Sequence, residues 1–315
     1  MNRALSRLAT LLAAVLCLAA APPSPPDPEG QVVADLVVRA PSGGPAWWKV
    51  SSGGATVWVL GVPDALPKGL AWSDVVLDRR LNQASRVILP PVASFGLFDV
   101  FGALALNGKL RVKTPFEAAL PPDLARRFAA GAAALRQSPA RYDRWKPALA
   151  GLIMVADFRK VAALDGNQPL NQIRAAARRH QLRAAPAIAY PALPMARTLA
   201  GELTSQVNLA CLSDALDEIE AGAGRVQASA RAWAVGDTPG ALAAERGFER
   251  CLAALPNGAD LVHRTEADQA SAIAKALQTP GVVVAVVELR PLLAQGGVLD
   301  RLRALGFTVK APGAS

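Results

Sequence analysis

Histidine and cysteine, the side chains that most often build zinc and nucleophilic sites, are scarce: the 315-residue chain has 2 His and 3 Cys. Transition-metal sites usually take several imidazoles or thiolates, so the histidines alone cannot build one. The motifs GxSxG, HExxH and GxxxxGK are also missing, and no GxGxxG follows a strand. These absences argue against the hydrolase, metalloprotease and nucleotide-binding classes that those motifs mark.

Runs of basic residues are missing too, although the net charge is +9 and the pI about 10.0. Arginines stand singly or in pairs within Ala-rich segments, as in Arg126-Arg127 and Arg178-Arg179. Aromatic residues are 5% of the chain, and none flank a basic run where they could stack on bases. The sequence therefore predicts solvated basic helix faces and no nucleic-acid partner.

Long apolar runs are confined to the N-terminus. Arg3 and Arg7 precede the apolar stretch 8–20, and small residues at 19–21 precede a Pro-rich segment. This order is typical of a signal peptide, here residues 1–21, followed by a Pro/Gly-rich spacer at 22–44. Later apolar runs are too short for the roughly 20 residues of a membrane helix. We expect an exported protein, periplasmic or extracellular, with no stable membrane span after signal cleavage.

Two cysteines remain once the signal peptide, which contains Cys17, is removed. Cys211 and Cys251 both lie in segments with helical patterns. An even pair in an exported chain favours a disulfide that ties two helices, the alternative being two buried thiols.

The hydrophobic pattern changes period along the chain. Strands are predicted at 46–50 and 55–60 as a hairpin and at 86–89, 281–287 and 307–309, and helices at 72–84, capped by Ser73, and 292–305. The section from about 121 to 278 reads as helical almost throughout, with Pro186, Pro191 and Pro194 marking a loop. The order predicts one α/β domain at 45–311, with a central mixed sheet made from the N- and C-terminal parts and helices inserted between them.

Four separated blocks resemble the TraB/GumN family, which includes the Tiki proteases and shares a broader fold with erythromycin-esterase-like (EreA) and ChaN-like proteins. The blocks are PAWWKVSSGGATVWVLGVPDALPKGLAW (45–72), RWKPALAGLIM (144–154), AWAVGDTPGAL (232–242) and VAVVELRPLLAQGGVLDRLRALGFTV (284–309). The resemblance covers nearly the whole chain after the signal peptide and implies the family fold. Since some relatives form dimers, it also allows a homodimer.

The residues that carry the family's chemistry differ here. Metal-dependent members are expected to use two GxxH histidines and a strand-end glutamate. In this chain the first motif is Gly61-Val62-Pro63-Asp64, the second falls on Glu288-Leu289-Arg290-Pro291, and the glutamate aligns with Pro90. The family arginine is matched by Arg264. With Asp64, Pro90 and Pro291 at the ligand positions, two of three positions have no side-chain donor, and the resemblance implies no resident metal.

Three functions remain open at this point. The first is a catalytically degenerate hydrolase that binds a polypeptide or small ligand in the old cleft, without a cofactor. The second is an active metal-dependent hydrolase or protease with replaced ligands, using Asp64 and Glu288 with Mn²⁺ or another divalent metal. The third is a helper or assembly protein that acts through its helical surface.

The family frame also predicts a cluster. Gly61, Asp64, Arg264, Glu288 and Arg290 are expected to gather at one edge of the sheet, with an arginine of this group pairing with Asp64 or Glu288 in place of a metal. The alternative is that they are independent surface charges. Other polar residues are expected to be ordinary surface or core residues: His180, His263 and the acidic helix face Asp214, Asp217, Glu218 and Glu220.

Overall fold

A computed structural model describes residues 27, 29–40, 43–94, 96, 99–243, 247–253, 255 and 257–313. The predicted signal peptide at 1–21 lies outside the described residues. So do residues 22–26, 28, 41 and 42 of the predicted spacer. The described part of the spacer packs against the domain: Leu36 is fully buried, and Trp48 Nε1 donates a hydrogen bond to the carbonyl oxygen of Leu36 at 3.1 Å.

The strands of the described chain are short. They are β1 Trp47–Ser52, β2 Ala55–Val62, β3 Leu66–Pro67, β4 Arg86–Leu89, β5 Val92–Ser94, β6 Leu164–Asp165, β7 Arg183–Pro186, β8 Ala189–Pro191, β9 Gly281–Glu288 and β10 Thr308–Lys310. Six of them form one sheet in the order β10-β1-β2-β9-β4-β7. Two further pairs, β3 with β6 and β5 with β8, stand apart from it.

The helices surround this sheet and fill the middle of the chain. They are α1 Val75–Gln83, α2 Asp99–Leu110, α3 Pro122–Ala134, α4 Pro147–Val161, α5 Gln168–Arg179, α6 Ala192–Gly201, α7 Ser205–Ala234, α8 Thr238–Ala241, α9 Gly247–Ala253, α10 Gly258–Ala276, α11 Leu289–Leu293 and α12 Val298–Ala304. Helix α7 breaks at Gly222, where φ is 76°. Within the described ranges, none of the helices combines the length and the apolar character that crossing a membrane requires.

The sheet is mixed, as the sequence predicts. Strand β1 is antiparallel to both β10 and β2, whereas β2, β9, β4 and β7 run parallel to one another. Strand β9 lies in the centre, and residues 283–287 are all buried, which is typical of a parallel strand covered on both faces. The N- and C-terminal parts of the chain thus meet in the pairing of β2 with β9.

The middle section is less uniformly helical than its sequence indicates. Pro186 ends β7, Pro191 ends β8 and Pro194 lies in α6, so these prolines do not mark one loop. Strand β7 is Arg-Ala-Ala-Pro, whose alanines carry no strand signal, and it forms because the open edge of β4 pairs with it. A proline is tolerated there because β7 is the edge strand.

Two predicted helices have different limits. Helix α1 begins at Val75, with Asp74 and not Ser73 at the N-cap. The predicted helix 292–305 is two helices, because Gly296 has φ 71° and a Cβ on Gly297 would lie 2.3 Å from the carbonyl oxygen of Pro291. The backbone reverses at this glycine pair, and α12 then packs onto α10.

Two apolar cores hold the layers together. The larger lies on both faces of the sheet and includes Trp48, Leu60, Val284 and Trp233. The smaller lies between α3, α4 and α7 and centres on Phe128, Tyr142, Met154, Leu212 and Leu216. Both cores end at the same edge of the sheet, where polar side chains replace apolar ones.

Helices α7 and α9 are tied covalently. The sulfur atoms of Cys211 and Cys251 lie 2.03 Å apart, at disulfide distance, which confirms the predicted pairing and the predicted tie between two helices. Both cysteines are buried beside Ala148 at the start of α4.

The end of β2 is tightly packed around Gly61. A Cβ at this position would lie 2.6 Å from Leu289 Cδ1 and 3.2 Å from Trp48 Cζ3, whereas a Cβ on Gly54 has its nearest neighbour, Pro280 Cβ, at 3.6 Å. We expect Gly61→Ala to lower the free energy of unfolding by about 1–3 kcal/mol. Urea unfolding should show little change for the matched control Gly54→Ala. Equal effects of the two substitutions would contradict this packing.

Candidate functional site

The site lies where parallel strands end. Val62, the last residue of β2, is the register partner of Glu288, the last residue of β9. Because parallel strands end at one edge of a sheet, the residues that follow them meet there: Pro63-Asp64 after β2, Leu289-Arg290-Pro291 after β9 and Pro90-Pro91 after β4. Ligand sites of open α/β sheets commonly lie at this edge.

A cleft with two chambers opens at this edge. The first chamber, of about 80 Å³, is bounded by the ends of β2 and β9 and by helices α4 and α7. The second chamber, of about 520 Å³, extends towards β5 and α10. The charged side chains that line both chambers are Glu29, Asp64, Arg159, Glu249 and Glu288.

The cleft is acidic in a basic protein. Glu218 lines only the first chamber, and Asp27 and Glu266 line only the second, so the two chambers have seven described carboxylates in all. Two described arginines, Arg159 and Arg290, line the chambers. Since the whole chain has a net charge of +9, negative charge is concentrated in this one concavity.

Arg159 is the arginine of the first chamber that pairs with its carboxylates. Helix α4 brings its Nη2 to 2.7 Å from Asp64 Oδ2 and to 3.6 Å from Glu218 Oε1. Burial by itself would lower the pKa of Arg159, but the charges of Asp64 and Glu218 outweigh burial and the pKa is raised. The guanidinium therefore stays charged and joins the end of β2 to helix α7.

Two carboxyl groups of the first chamber titrate near neutrality. Burial raises the pKa of Glu218 to about 7, with Arg159 acting in the opposite direction. Glu288 also has a pKa raised to about 7, by burial first and then by Asp64, Glu249 and Glu29; water in the cleft still reaches its side chain. Both values exceed the ordinary 4.5, so ionising these groups costs folding stability as pH rises from about 4.5 to 7.

The structure brings most of the predicted cluster together but pairs it differently. Asp64, Glu288 and Arg290 line the first chamber. Gly61 lies in β2, three residues before Asp64, and its carbonyl oxygen accepts a hydrogen bond from Trp233 Nε1 at 2.7 Å. Arg264 is exposed on α10 and is not among the described residues that line the cleft.

Among the described residues, the expected ion pair of Arg264 or Arg290 with Asp64 or Glu288 is not found. The arginine that pairs with Asp64 is Arg159, and Arg290 instead donates hydrogen bonds to the carbonyl oxygens of Glu29 and Leu242. Arg290 lies at the start of α11, directly after β9. From this position its side chain points towards the N-terminal segment and the loop after α8.

The acidic face expected to be solvated divides into two. Asp217 and Glu220 pair with Arg127 of α3, and Asp214 pairs with Arg250 of α9, so these three join helices to one another. Glu218 is 6% exposed and faces the cleft. Its spacing from the buried Ala215 and Ile219 of α7 is the signal that could have placed it on the inner face.

The second chamber has an apolar wall with polar groups on one side. Pro91, Val92, Met195, Leu261 and Val262 supply the apolar surface. Glu266, 1% exposed, and Gln269, 3% exposed, supply the polar side from α10. Burial also raises the pKa of Glu266 to about 7.

Neither histidine is among the described residues of the cleft lining. His180 Nε2 lies 3.2 Å from Asp78 Oδ1, and His263 Nδ1 lies 3.4 Å from Glu266 Oε2. Ser229 lines the first chamber, but a serine nucleophile needs an adjacent base, and the described lining offers carboxyl groups only. The arrangement can hold positive charge and exchange protons near pH 7.

Arg159 and Glu218 are the site residues that the sequence prediction missed. Arg159 lies in the last turn of α4, where a basic residue is ordinarily explained by the helix dipole. Nothing in its neighbourhood in the sequence indicates that α4 points this side chain at the end of β2.

Removing the guanidinium of Arg159 should lower the free energy of unfolding more at high pH than at low pH. At pH 8 Glu218 and Glu288 are mostly ionised, and Arg159→Met removes the guanidinium that opposes their charge; we expect the free energy of unfolding to fall by about 2–3 kcal/mol. At pH 5.5 the two glutamates are protonated, and the loss should be about 1 kcal/mol. Urea unfolding at both pH values measures the difference.

The matched control is Arg126→Met, which removes an exposed ion pair with Asp123 and should change stability by less than about 0.5 kcal/mol at either pH. A cost of Arg159→Met that does not depend on pH would contradict the proposed charge balance.

Comparison with known proteins identifies a family for this chain. A search of curated proteins and a search of solved structures found no match to the chain. A model of the TraB/PrgY/gumN family matches residues 46–311, which include all six strands of the main sheet and both strand ends that form the cleft. The chain therefore belongs to the TraB/PrgY/gumN family.

Proposed function

We propose that this protein is an exported, catalytically degenerate member of its family, which binds a ligand in the acidic cleft and does not hydrolyse it. The observation that carries the proposal is the position of Arg159. Its guanidinium lies 2.7 Å from Asp64, the residue at the first motif's metal-ligand position. A fixed cation thus neutralises the carboxylate that a metal ion would need.

The other residues at the former ligand positions fit a metal no better. Pro90 and Pro291 follow the ends of β4 and β9 and have no side-chain donor. Glu288 is displaced from the motif position by three residues, and its pKa of about 7 leaves it partly protonated at neutral pH. A divalent ion beside Asp64 would also be repelled by the guanidinium of Arg159.

The helical surface offers less support for a helper or assembly function. The exposed large apolar side chains of the described residues are Val75, Leu104, Val161, Val235 and Leu305, which lie in or beside five different helices. Single exposed apolar residues are ordinary on soluble proteins. The cleft, in contrast, combines volume, apolar wall and concentrated charge.

Export is supported by the disulfide, because such bonds persist in oxidising compartments. In the cell that makes the protein, Cys211 and Cys251 should resist a maleimide until a reductant is added. The matched control is a chain without residues 2–21, which has the same two cysteines and should leave both reactive. Reactive thiols in both proteins would contradict export.

Metal retention tests the loss of hydrolase chemistry. After incubation with Mn²⁺, Co²⁺ or Zn²⁺ and desalting, we expect elemental analysis to find much less than one metal ion per chain. Stoichiometric retention by the wild-type protein, lost in Asp64→Asn and Glu288→Gln, would overturn the proposal. That result would support the alternative, a metal-dependent hydrolase with replaced ligands.

A further inference from the structure

Two buried hydrogen-bond acceptors in the second chamber have no donor among the described residues. Glu266 Oε1 and Gln269 Oε1 are buried and have no hydrogen-bond partner within the described residues. The other oxygen of Glu266 is met by Arg301 Nη2 at 3.5 Å and by His263 Nδ1 at 3.4 Å, both at the long end of the range. Buried acceptors are nearly always satisfied in folded proteins, so two of them on side chains that line one chamber indicate a missing N–H donor.

The charge of the second chamber indicates which kind of donor it would bind. Glu288 lines the same chamber, and the groups that act on its charge most strongly are Asp64, Glu249 and Glu29, all acidic; Arg159 is the cation that opposes them. An anionic ligand would be repelled, and a neutral donor would gain nothing from this field. A cationic donor satisfies both the charge and the unpaired acceptors.

The apolar wall of the second chamber indicates that the cationic ligand also has an apolar part. Val92, Met195, Leu261 and Val262 face the space beside Glu266. A hydrated metal ion would leave this wall wet, whereas an alkyl stem would bury it. Lysine-like and arginine-like groups combine such a stem with a charged end.

We propose that the second chamber binds an ammonium or guanidinium group on an alkyl stem, with the charged end at Glu288, Glu266 and Gln269 and the stem on the apolar wall. The inference rests on the proposed function, since it names the ligand of that same cleft. Two sources offer this chemistry: a free amine, such as a polyamine, and a lysine or arginine side chain of a polypeptide.

Binding of such a cation should tighten as pH rises. The groups facing Glu288 are Asp64, Glu249, Glu29 and Arg159. Those facing Glu266 are Arg301 and His263. With pKa values of about 7, each carboxyl is roughly one-tenth ionised at pH 6 and nine-tenths ionised at pH 8. Affinity should therefore rise by about tenfold or more over this interval.

Isothermal titration calorimetry at pH 6 and pH 8 tests the inference. The probes are spermidine and agmatine as free amines, and a blocked pentapeptide with a central lysine between two leucines. The norleucine version of the peptide is the neutral control. We expect the lysine peptide to bind at least tenfold tighter than the norleucine peptide, and more tightly at pH 8 than at pH 6.

Variants locate the binding. Glu266→Gln and Glu288→Gln should each weaken the cationic probes at least tenfold at pH 8, with thermal melting confirming that they are folded. Glu220→Gln, on the outer face of α7, is the matched control and should bind as the wild type does. Binding of the amines as well as the peptide supports a free-amine ligand, and binding of the peptide alone supports a polypeptide.

Equal binding of the lysine and norleucine peptides would overturn the cationic class while leaving a ligand-binding cleft. Failure of every probe to bind, or unchanged binding in both cleft variants, would also overturn the inference. These outcomes differ from the one that would overturn the proposed function. That outcome is stoichiometric metal retention that depends on Asp64.

Discussion

The parallel pairing of β2 with β9 is the constraint on which the rest of the structure depends. It joins residues 55–62 to residues 281–288 in continuous register, so that more than 200 residues must fold between two adjacent strands. Those residues form the helices that cover the sheet. Because both strands run in the same direction, they also end together, and Asp64 and Glu288 become neighbours in space without being near in sequence. The cleft is a consequence of this topology, and the helices only decide what faces it.

Charge balance at this edge depends on one helix. Helix α4 belongs to the second core through Met154 and Phe158, and its last turn reaches the first chamber with Arg159. The position of the guanidinium is thus fixed by apolar packing elsewhere, and Asp64 and Glu218 adapt to it. Burial is the largest cause of the raised pKa of Glu288, and the carboxylates of Asp64, Glu249 and Glu29 raise it further against the opposing effect of Arg159.

Much of the fold can be predicted from local patterns. The β1–β2 hairpin has Gly53-Gly54 between two β-rich runs, and β9 is a β-branched run of strand length; both signals are contained within the segment itself. Strand β7 has no such signal, because it exists through pairing with β4. Glu218 and its neighbour Asp217 look alike in sequence, but 100° of helix rotation puts one in the cleft and the other against Arg127. The site therefore depends on tertiary directions that single residues do not encode.

In the function that we propose, an arginine takes the place of a metal, and this changes what the cleft can recognise. A divalent ion in a family site presents open coordination positions to a substrate oxygen, and so it attracts electron-rich groups. The guanidinium of Arg159 donates a hydrogen bond to Asp64, and the remaining carboxylates, including Glu288 and Glu266, set the potential. The sign of the field at the second chamber is then negative, which favours electron-poor, positively charged groups. The proposed loss of the metal ligands would thus reverse the electrostatic preference of the cleft while the sheet that builds it stays the same.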